Sequence, residues 1–229
     1  MRAAVYAFIF YPATFLLILV CMAASLFGAR PMRLVVHAWT DFHHRLAQLL
    51  GTRLEVRGAI PAGTCLIAVK HQSMFETLEM VRLANTPVIV IKRELSRIPG
   101  FGWALRRYGV IIVDRSAGAK ALREMLALGK QAAEAGRPVI IYPEGTRVRP
   151  GETPELQAGF AGLYRALGLA VVPVAVDSGK VWGSNLPKRA GTVHFLIGEP
   201  IPPGLKREEI EARVHATINA LELGPEASA

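Results

Sequence analysis

The chain is poor in cysteine. Its 229 residues include 2 cysteines, Cys21 in an apolar run and Cys65 in a strand-like run, and neither is placed like a disulfide partner. Small proteins that rely on disulfides carry far more cysteine, so that class is excluded. A reducing compartment is expected instead.

Several motifs of well-known active sites are also missing. There is no Gly-x-Ser-x-Gly, which excludes hydrolases that place a serine nucleophile on that turn. No glycine loop ends in Gly-Lys-Ser or Gly-Lys-Thr, and the dinucleotide-binding glycine pattern is absent. No spacing of Cys and His resembles a zinc site. We therefore expect neither a metal site nor a bound cofactor.

Acidic residues are too few to balance the basic ones. Lys and Arg number 27 against 18 Asp and Glu, which gives a net charge of +9. An excess of this size favours anionic partners, and both nucleic acid and anionic lipid fit it. The charge alone does not choose between them.

The N-terminal run favours lipid over nucleic acid, because Ala4–Gly28 contains no charged residue. As a helix, these 25 residues would be roughly 37 Å long, more than the roughly 30 Å of a hydrocarbon layer. The competing interpretation is a cleaved signal peptide, since Arg2 precedes the run and residues 23–25 are small. The run exceeds the roughly 7–15 residues that form the apolar region of such a peptide, so we predict a retained anchor that either spans the bilayer or dips into it.

Flanking charge sets the predicted orientation. Arg30, Arg33 and Arg45 follow the apolar run, whereas only Arg2 precedes it. Positive residues are retained on the cytoplasmic side of a membrane segment. We therefore expect the inner (cytoplasmic) membrane as the location, with the body of the protein on its cytoplasmic face.

A second helical pattern follows the apolar run. Its apolar positions recur at intervals of four and three residues, as in an amphipathic helix: Val35, Trp39, Phe42, Leu46 and Leu49. Either this helix packs on the folded core, or it lies at the membrane interface with Trp39 at headgroup level. The pattern leaves both open.

From about residue 52, short β-rich runs alternate with helical patterns. The predicted strands are near Leu54–Arg57, Thr64–Val69, Val88–Ile91, Val110–Val113, Val139–Tyr142, Val171–Val176 and Thr192–Ile197. The predicted helices are roughly Met74–Leu83, Ala119–Ala135, Leu156–Leu167 and Arg207–Leu223. This alternation is typical of an α/β fold with a central, largely parallel mixed sheet of about seven strands flanked by helices. Two parts are predicted: membrane-anchoring or interfacial helices over residues 1–50, and an α/β domain over residues 51–229.

His71 and Glu76 are the first candidate catalytic residues. His71 follows the strand predicted at 64–69, and catalytic groups often lie at such strand ends. A histidine can take a proton from an alcohol, and a carboxylate on its second ring nitrogen fixes the tautomer. On one helix, five residues would place the two side chains about 140° apart, so pairing requires His71 to lie outside the next helix. The alternative is a Ser-x-x-Glu capping box, in which Ser73 and Glu76 only satisfy backbone N–H groups.

A second candidate segment follows the strand near 139–142. Gly145 lets the backbone approach a ligand, the Thr146 hydroxyl donates, and Arg147 offers a planar fork to phosphate oxygens. The alternative is a polar turn in which Glu144 and Arg147 pair with each other.

A third strand end carries Arg115. If the strands are parallel, Arg115 projects from the same edge of the sheet as His71 and Arg147. The alternative is a surface salt bridge with Asp114. Between these segments, cations and aromatic residues are mixed: Lys92, Arg93, Arg97, Phe101, Trp103, Arg106 and Arg107. A solvated cationic surface is the default interpretation, but the mixture also suits anionic membrane lipids.

These segments resemble blocks of the 1-acylglycerol-3-phosphate acyltransferases and of the wider glycerolipid acyltransferase group. His71–Glu76 is similar to the family's His-x4-Asp/Glu block, Gly109–Arg115 to its second block, Tyr142–Arg147 to its Phe-Pro-Glu-Gly-Thr-Arg block, and Val171–Ala175 to its proline-containing fourth block. The blocks occur in the family's order over roughly residues 50–205. Three positions depart from the pattern: Glu76 where Asp is commoner, Lys70 where Asn is frequent, and Tyr142 where Phe is usual.

The resemblance implies acyl transfer from a thioester of coenzyme A or acyl carrier protein to the hydroxyl of a lysophospholipid, 1-acylglycerol-3-phosphate. The product would be phosphatidic acid, and no metal or further cofactor is implied. Two alternatives stay open. One is another lysolipid acceptor, such as lyso-ornithine lipid, and the other is a non-catalytic basic module that binds lipid at the membrane surface.

The resemblance also assigns roles to residues. His71 would be the catalytic base, and Glu76 would orient it. The implied substrate-binding residues are Arg115, Glu144, Gly145, Thr146 and Arg147. Among these, Glu144 is expected to orient the arginines or the glycerol.

Overall fold

The computed structural model describes residues 2–114, 117–183 and 188–222. The α-helices in these ranges are α1 (Arg2–Ser25), α2 (Ala29–Leu49), α3 (Phe75–Leu83), α4 (Phe101–Tyr108), α5 (Gly118–Glu134), α6 (Ala158–Leu167), α7 (Gly179–Trp182) and α8 (Arg207–Ile218). The β-strands are β1 (Thr52–Arg57), β2 (Leu66–Val69), β3 (Val88–Lys92), β4 (Ile111–Val113), β5 (Val139–Ile141), β6 (Val171–Val176) and β7 (Gly191–Ile197). A 3₁₀ helix at Arg93–Arg97 joins β3 to α4.

Within the described ranges, the strands form one sheet in the order β1-β7-β6-β2-β5-β3-β4. β6 and β7 pair antiparallel, and the other strand pairs are parallel. Every residue of β2, β5 and β6 is buried, because helices cover both faces of the sheet. The predicted α/β fold with a largely parallel mixed sheet is confirmed.

The two faces of the sheet carry different helices. On one face, α1, α2, α3 and α7 share a core that includes Phe10, Phe75 and Trp182. On the other face, α5, α6 and α8 pack on the sheet through residues such as Met125 and Phe160. The N-terminal helices therefore contribute to the same core as α3. The predicted division of the chain at residue 50 stays a prediction.

The amphipathic pattern lies in α2, as predicted. Leu46 is buried, Trp39 and Phe42 pack against the core, and Leu49 is exposed. The Trp39 Nε1 group donates to Thr14 Oγ1 of α1 at 3.0 Å. The structure therefore supports the alternative in which this helix packs on the folded core.

Helix α4 and the 3₁₀ helix before it were not predicted, because short helices show too few repeats of the apolar pattern. Gly102 explains how the two pack together. A Cβ atom at Gly102 would lie 1.9 Å from the carbonyl oxygen of Ser96, so only glycine fits this contact. The cationic stretch around residue 100 therefore forms two short helices packed on each other, of which α4 contacts α1 and α2.

Candidate active site

Loops from three strands converge at the carboxyl edge of the sheet. β6, β2 and β5 are neighbouring parallel strands, so the segments that follow them lie side by side. The segment after β2 carries His71, the segment after β5 carries Glu144, and the segment after β6 carries Ser178. The crevice at the carboxyl ends of parallel strands is a common ligand site in α/β proteins.

His71 and Glu76 form a hydrogen-bonded pair, with Nδ1 of His71 2.9 Å from Oε1 of Glu76. α3 begins only at Phe75, so His71 lies outside the helix and folds back over its first turn, which is the geometry that pairing required. The imidazole is 17% exposed, whereas the carboxylate is fully buried. Because an ionised carboxylate only accepts, Nδ1 carries a hydrogen, and in the neutral form of the ring Nε2 then has a lone pair to accept a proton.

Glu76 is also the capping group of α3. Its Oε1 accepts the backbone N–H of Gln72 at 2.8 Å and that of Ser73 at 2.6 Å. The Ser73 hydroxyl in turn accepts the N–H of Phe75 at 3.0 Å. The capping box and the histidine pair, which the sequence offered as alternatives, therefore coexist in one carboxylate.

The surroundings of Glu76 keep it ionised. Burial raises the pKa of this carboxyl. Hydrogen bonds from His71, Ser178 and the Ser73 backbone, with the charge attraction of His71, outweigh burial and leave the pKa below its ordinary value. Above the dyad, the Tyr142 ring lies with its centroid 4.3 Å from that of His71. Burial raises the pKa of Tyr142 far above its ordinary value, so a neutral ring covers the imidazole.

Glu144 has partners that the sequence did not indicate. Its Oε2 accepts the backbone N–H of His71 at 2.8 Å, and its Oε1 pairs with Nζ of Lys70 at 3.0 Å. These contacts replace the alternative pairing of Glu144 with Arg147, which is wrong. Burial raises the pKa of Glu144, and the His71 N–H and the Lys70 ammonium oppose that shift. The expected role of Glu144 in substrate binding stays a prediction.

Lys70 is fully buried and has a full set of acceptors. Besides Glu144, its ammonium donates to Oδ1 of Asn219 at 2.6 Å and to the carbonyl of Glu152 at 2.8 Å. Three acceptors satisfy the three hydrogens of an ammonium group. Lys70 therefore ties the segments after β2 and β5 to the end of α8.

The segment Gly145–Arg147 forms a turn beside the histidine. Gly145 has φ 74°, and its N–H donates to the carbonyl of Tyr142 at 2.9 Å. The N–H of Val148 donates to the carbonyl of His71 at 2.8 Å, which fixes the turn against the dyad. Thr146 and Arg147 are exposed, so their donors are open to a ligand. Arg115, and with it the alternative Asp114–Arg115 pair, lies outside the described residues.

A cavity of about 1350 Å³ borders the dyad. Its wall includes His71 and the Gly145–Arg147 turn, together with apolar side chains of α1, α3, α4 and α5. From α1 it takes Phe15 and Ile18 among others. This volume exceeds the roughly 300–1,000 Å³ of ordinary small-molecule pockets. A large, mainly apolar cavity with cationic and hydroxyl groups at the imidazole suits an amphiphile with a hydrocarbon chain and an anionic head.

Two kinds of site residue escaped the sequence analysis. Ser178, whose hydroxyl contacts Glu76, follows a strand at the same edge as His71, so the strand-end rule could have found it. Asn219 gave no local signal, because its partner Lys70 is 149 residues away. Among the described residues, no group of three or more His, Cys, Asp or Glu side chains is arranged to hold a metal ion.

Comparison with known proteins gives a consistent picture. The family model described as "Acyltransferase" matches residues 53–177, which is more than half of the chain. A 1-acyl-sn-glycerol-3-phosphate acyltransferase of Pseudomonas aeruginosa is 36% identical over 191 residues, covering 82% of this chain and 73% of that protein. A protein of the same name from Salmonella typhimurium is 28% identical over 167 residues, covering 70% and 68%.

A solved structure has the same fold. The 1-acyl-sn-glycerophosphate (LPA) acyltransferase PlsC of Thermotoga maritima superposes with a TM-score of 0.78 and covers 97% of each chain. The two chains are 22% identical, so this likeness shows the fold alone.

Proposed function

Because this chain belongs to the acyltransferase family, we propose that it moves a fatty acyl group from an acyl thioester to the free hydroxyl of 1-acylglycerol-3-phosphate. The product is phosphatidic acid, so the enzyme is an O-acyltransferase of phospholipid synthesis. The observation that carries the proposal is the 2.9 Å His71–Glu76 pair at the wall of an apolar cavity. Relatives of this chain bear the name of that activity.

The dyad supplies the proton chemistry. Nε2 of His71 takes the proton of the acceptor hydroxyl as its oxygen attacks the thioester carbonyl carbon. Glu76, held ionised, stabilises the imidazolium through Nδ1. When the tetrahedral intermediate collapses, the carbon–sulfur bond breaks, and the imidazolium returns the proton to the departing sulfur. General-base help of this kind contributes roughly 10²–10⁴ in rate.

The acceptor phosphate is assigned to the turn beside the dyad. The exposed Thr146 hydroxyl and Arg147 guanidinium are the donors that suit phosphate oxygens, and Arg115 is proposed to join them. Either coenzyme A or acyl carrier protein can carry the donor thioester. Neither a metal nor a further cofactor is needed, because binding and proton transfer suffice for the reaction.

The N-terminal helices are proposed to hold the catalytic domain on the cytoplasmic face of the inner membrane. α1 is long and apolar enough to cross a bilayer, with a mean hydropathy of 2.3. However, α1 contacts the catalytic domain near both ends. Tyr6 lies against Trp182, and the carbonyl of Ser25 accepts from Arg107. These contacts near both ends of α1 favour insertion into one leaflet rather than a span.

The other side of α1 faces outward and is apolar. Phe8 and Leu16 are each more than 60% exposed and lie outside the cavity wall. The same helix forms part of the cavity wall, so a lipid acceptor can reach the dyad from the bilayer without passing through water. Nearby cations of the 3₁₀ helix and α4 are proposed to bind anionic membrane lipids.

The direct test is turnover by the purified protein in detergent or vesicles. Radiolabelled acyl-coenzyme A and acyl carrier protein thioesters are each offered with a panel of acceptors: 1-acylglycerol-3-phosphate, lysophosphatidylcholine, lysophosphatidylethanolamine and lyso-ornithine lipid. We expect labelled phosphatidic acid as the main product. A non-catalytic lipid-binding module would give no diacyl product with any acceptor.

Two histidine variants test the mechanism, one at the proposed base and one as a matched control. His71→Ala should lower turnover by about 10²–10⁴-fold. His37→Ala on α2, which removes a half-buried histidine away from the dyad, should leave turnover near that of the unmodified protein. If His71→Ala keeps normal turnover, the mechanism is wrong.

A further inference from the structure

The hydroxyl of Ser178 contacts the catalytic carboxylate from a different strand. Ser178 is fully buried just beyond the end of β6, and its Oγ lies 2.5 Å from Oε2 of Glu76. The Ser73 hydroxyl is 2.7 Å from the same oxygen and 2.9 Å from the Ser178 hydroxyl. The two serines therefore enclose the carboxylate oxygen that does not face His71.

The number of hydroxyl hydrogens limits which hydrogen bonds Ser73 and Ser178 can donate. Each hydroxyl has one hydrogen to donate. The contact from Ser178 to Glu76 is the shortest of the three, so its hydrogen belongs to that bond. Ser73 donates either to Glu76 or to Ser178. With Ser178 in place, Oε2 has a donor whichever choice Ser73 makes.

We propose that Ser178 is a positioning residue for the acyl-transfer reaction, in that its hydroxyl keeps Glu76 ionised and aimed at Nδ1 of His71. The inference rests on the function proposed above. Ser178 acts only through Glu76.

The backbone around Ser178 is fixed to the same loop. The N–H of Gly179 donates to the side-chain oxygen of Gln72, the residue after His71, at 2.9 Å. A Cβ atom at Gly179 would lie 3.0 Å from that oxygen and 3.0 Å from Pro150, so the segments are in close contact. The end of β6 thus holds the catalytic loop by one backbone bond and one hydroxyl bond.

Loss of the hydroxyl changes proton uptake by the dyad. A buried carboxylate with fewer donors attracts a proton more strongly. The titratable groups around Glu76 are His71 on its own loop, Tyr142 after β5, and the Lys70–Glu144 pair behind the His71 backbone. Among these, His71 is the group that exchanges a proton in the reaction. The acid limb of the rate profile, which reports the dyad as a unit, should therefore move to higher pH.

The test compares Ser178→Ala with Ser178→Thr, which keeps a hydroxyl. For Ser178→Ala we expect kcat to fall about tenfold with little change in the acceptor KM, as for a lost hydrogen bond to a charged group. The acid limb should move up by about one pH unit. In Ser178→Thr, the acid limb of the rate profile should lie at the same pH as in the unmodified protein. The matched control is Ser96→Ala, which removes the hydroxyl of another buried serine, whose partner is the carbonyl of Arg93.

Thermal unfolding of each variant separates folding from catalysis. The proposal is overturned if Ser178→Ala leaves the acid limb of the rate profile unaltered and has a kcat within twofold of that of the Ser96→Ala control.

A second readout does not depend on the substrate. The pH midpoint of the His71 ring resonances, assigned by comparison with His71→Gln, should rise in Ser178→Ala even if no lysophospholipid is acylated. An unmoved midpoint overturns the proposal, whereas missing turnover with a moved midpoint overturns only the proposed function.

Discussion

The backbone N–H of His71 donates to Oε2 of Glu144 at 2.8 Å, although the two residues are 73 positions apart. The other oxygen of Glu144 pairs with Lys70, the residue just before His71. One carboxylate therefore binds the backbone of His71 and the side chain of the residue before it. In this chain, the glutamate of the Tyr142–Arg147 block holds the loop that carries His71 in place.

Breaking this buried pair on one side should destabilise the protein strongly. Lys70→Met keeps much of the side-chain length but leaves the Glu144 carboxylate buried without its cation. We expect the free energy of unfolding to fall by about 3–5 kcal/mol. Denaturant unfolding monitored by tryptophan fluorescence measures it. The double variant Lys70→Met/Glu144→Gln removes both charges and should recover a large part of the loss; equal losses in the two variants would contradict a coupled pair.

Arg147 should affect acceptor binding more than the chemical step. Arg147→Ala removes an exposed fork that has no ion-pair partner among the described residues, so the expected effect falls on the phosphate. The KM for 1-acylglycerol-3-phosphate should rise about 10- to 100-fold, as for a lost hydrogen bond to a charged group. Steady-state kinetics with varied acceptor measures this.

Two comparisons sharpen the Arg147 experiment. Arg213→Ala on α8 removes an arginine whose exposed pair with Glu209 contributes little, and it should leave the KM unchanged. With monoacylglycerol, which lacks the phosphate, the Arg147→Ala variant and the unmodified protein should perform alike. An unchanged KM for the phosphorylated acceptor would show that the phosphate binds elsewhere.

The sequence was a good guide to the site where one strand end sufficed. The run before His71 is apolar and the residues after it are polar, so the strand, the turn and the dyad followed from one short segment. Glu76 fulfils both alternatives that the sequence offered, because a carboxylate has enough lone pairs for a cap and an imidazole. The partner of Glu144 was missed, because a buried lysine one residue before His71 cannot be recognised without the packing that buries it.

The fold was likewise predictable where one short segment carries the signal, and not where residues far apart in the sequence decide. All seven predicted strands occur, with ends that differ by a few residues. The signal was plainest for β2, β5 and β6, because fully buried strands are apolar throughout. The sequence did not predict the antiparallel pairing of β6 with β7. It also left open whether α2 packs on the core. That question depends on Trp39 and Phe42 meeting Phe10 of α1, a contact between residues about 30 positions apart.

The exposed face of α1 should determine membrane binding. Phe8 and Leu16 are 83% and 61% exposed, and neither lines the cavity. Burial of such a side chain in lipid contributes about 1.5–3 kcal/mol, so Phe8→Ser and Leu16→Ser should each weaken vesicle binding about tenfold or more. Sedimentation with phosphatidylethanolamine–phosphatidylglycerol vesicles measures it. Leu128→Ser, on α5 at the opposite face of the sheet, is the control; equal binding by all three variants would exclude α1 as the anchor.

His43 of α2 is a neutral histidine in the core between the N-terminal helices and α3. Its Nδ1 accepts the hydroxyl of Tyr6 at 2.7 Å, and its Nε2 lies 3.9 Å from the buried Glu79 carboxylate. Burial, helped by the charges of His44, Lys188 and Arg82, lowers the pKa of His43 to about 3. A histidine in the unfolded chain has a pKa near 6.5. At lower pH the unfolded chain therefore binds a proton at His43, whereas the folded chain does not.

This difference predicts a stability that falls on acidification. Above about pH 6.5 His43 is neutral in both states and contributes no slope. Between about pH 6.5 and pH 3 the unfolded state alone is protonated, so His43 lowers the free energy of unfolding by up to about 1.4 kcal/mol per pH unit.

The double variant Tyr6→Phe/His43→Phe removes the titrating ring and its buried hydroxyl partner together. It puts a phenyl ring in place of the imidazole among Phe10, Phe75 and Trp182. Titratable groups away from this cluster are the same in both proteins, and Glu79 keeps its contacts with His44 and Arg82. The difference between the two stability profiles therefore reports mainly on His43. Unfolding midpoints measured from pH 4 to pH 8 should diverge below about pH 6.5, with the double variant losing less. Parallel profiles across that window would mean that His43 is protonated in the folded protein, with Glu79 as its counter-ion.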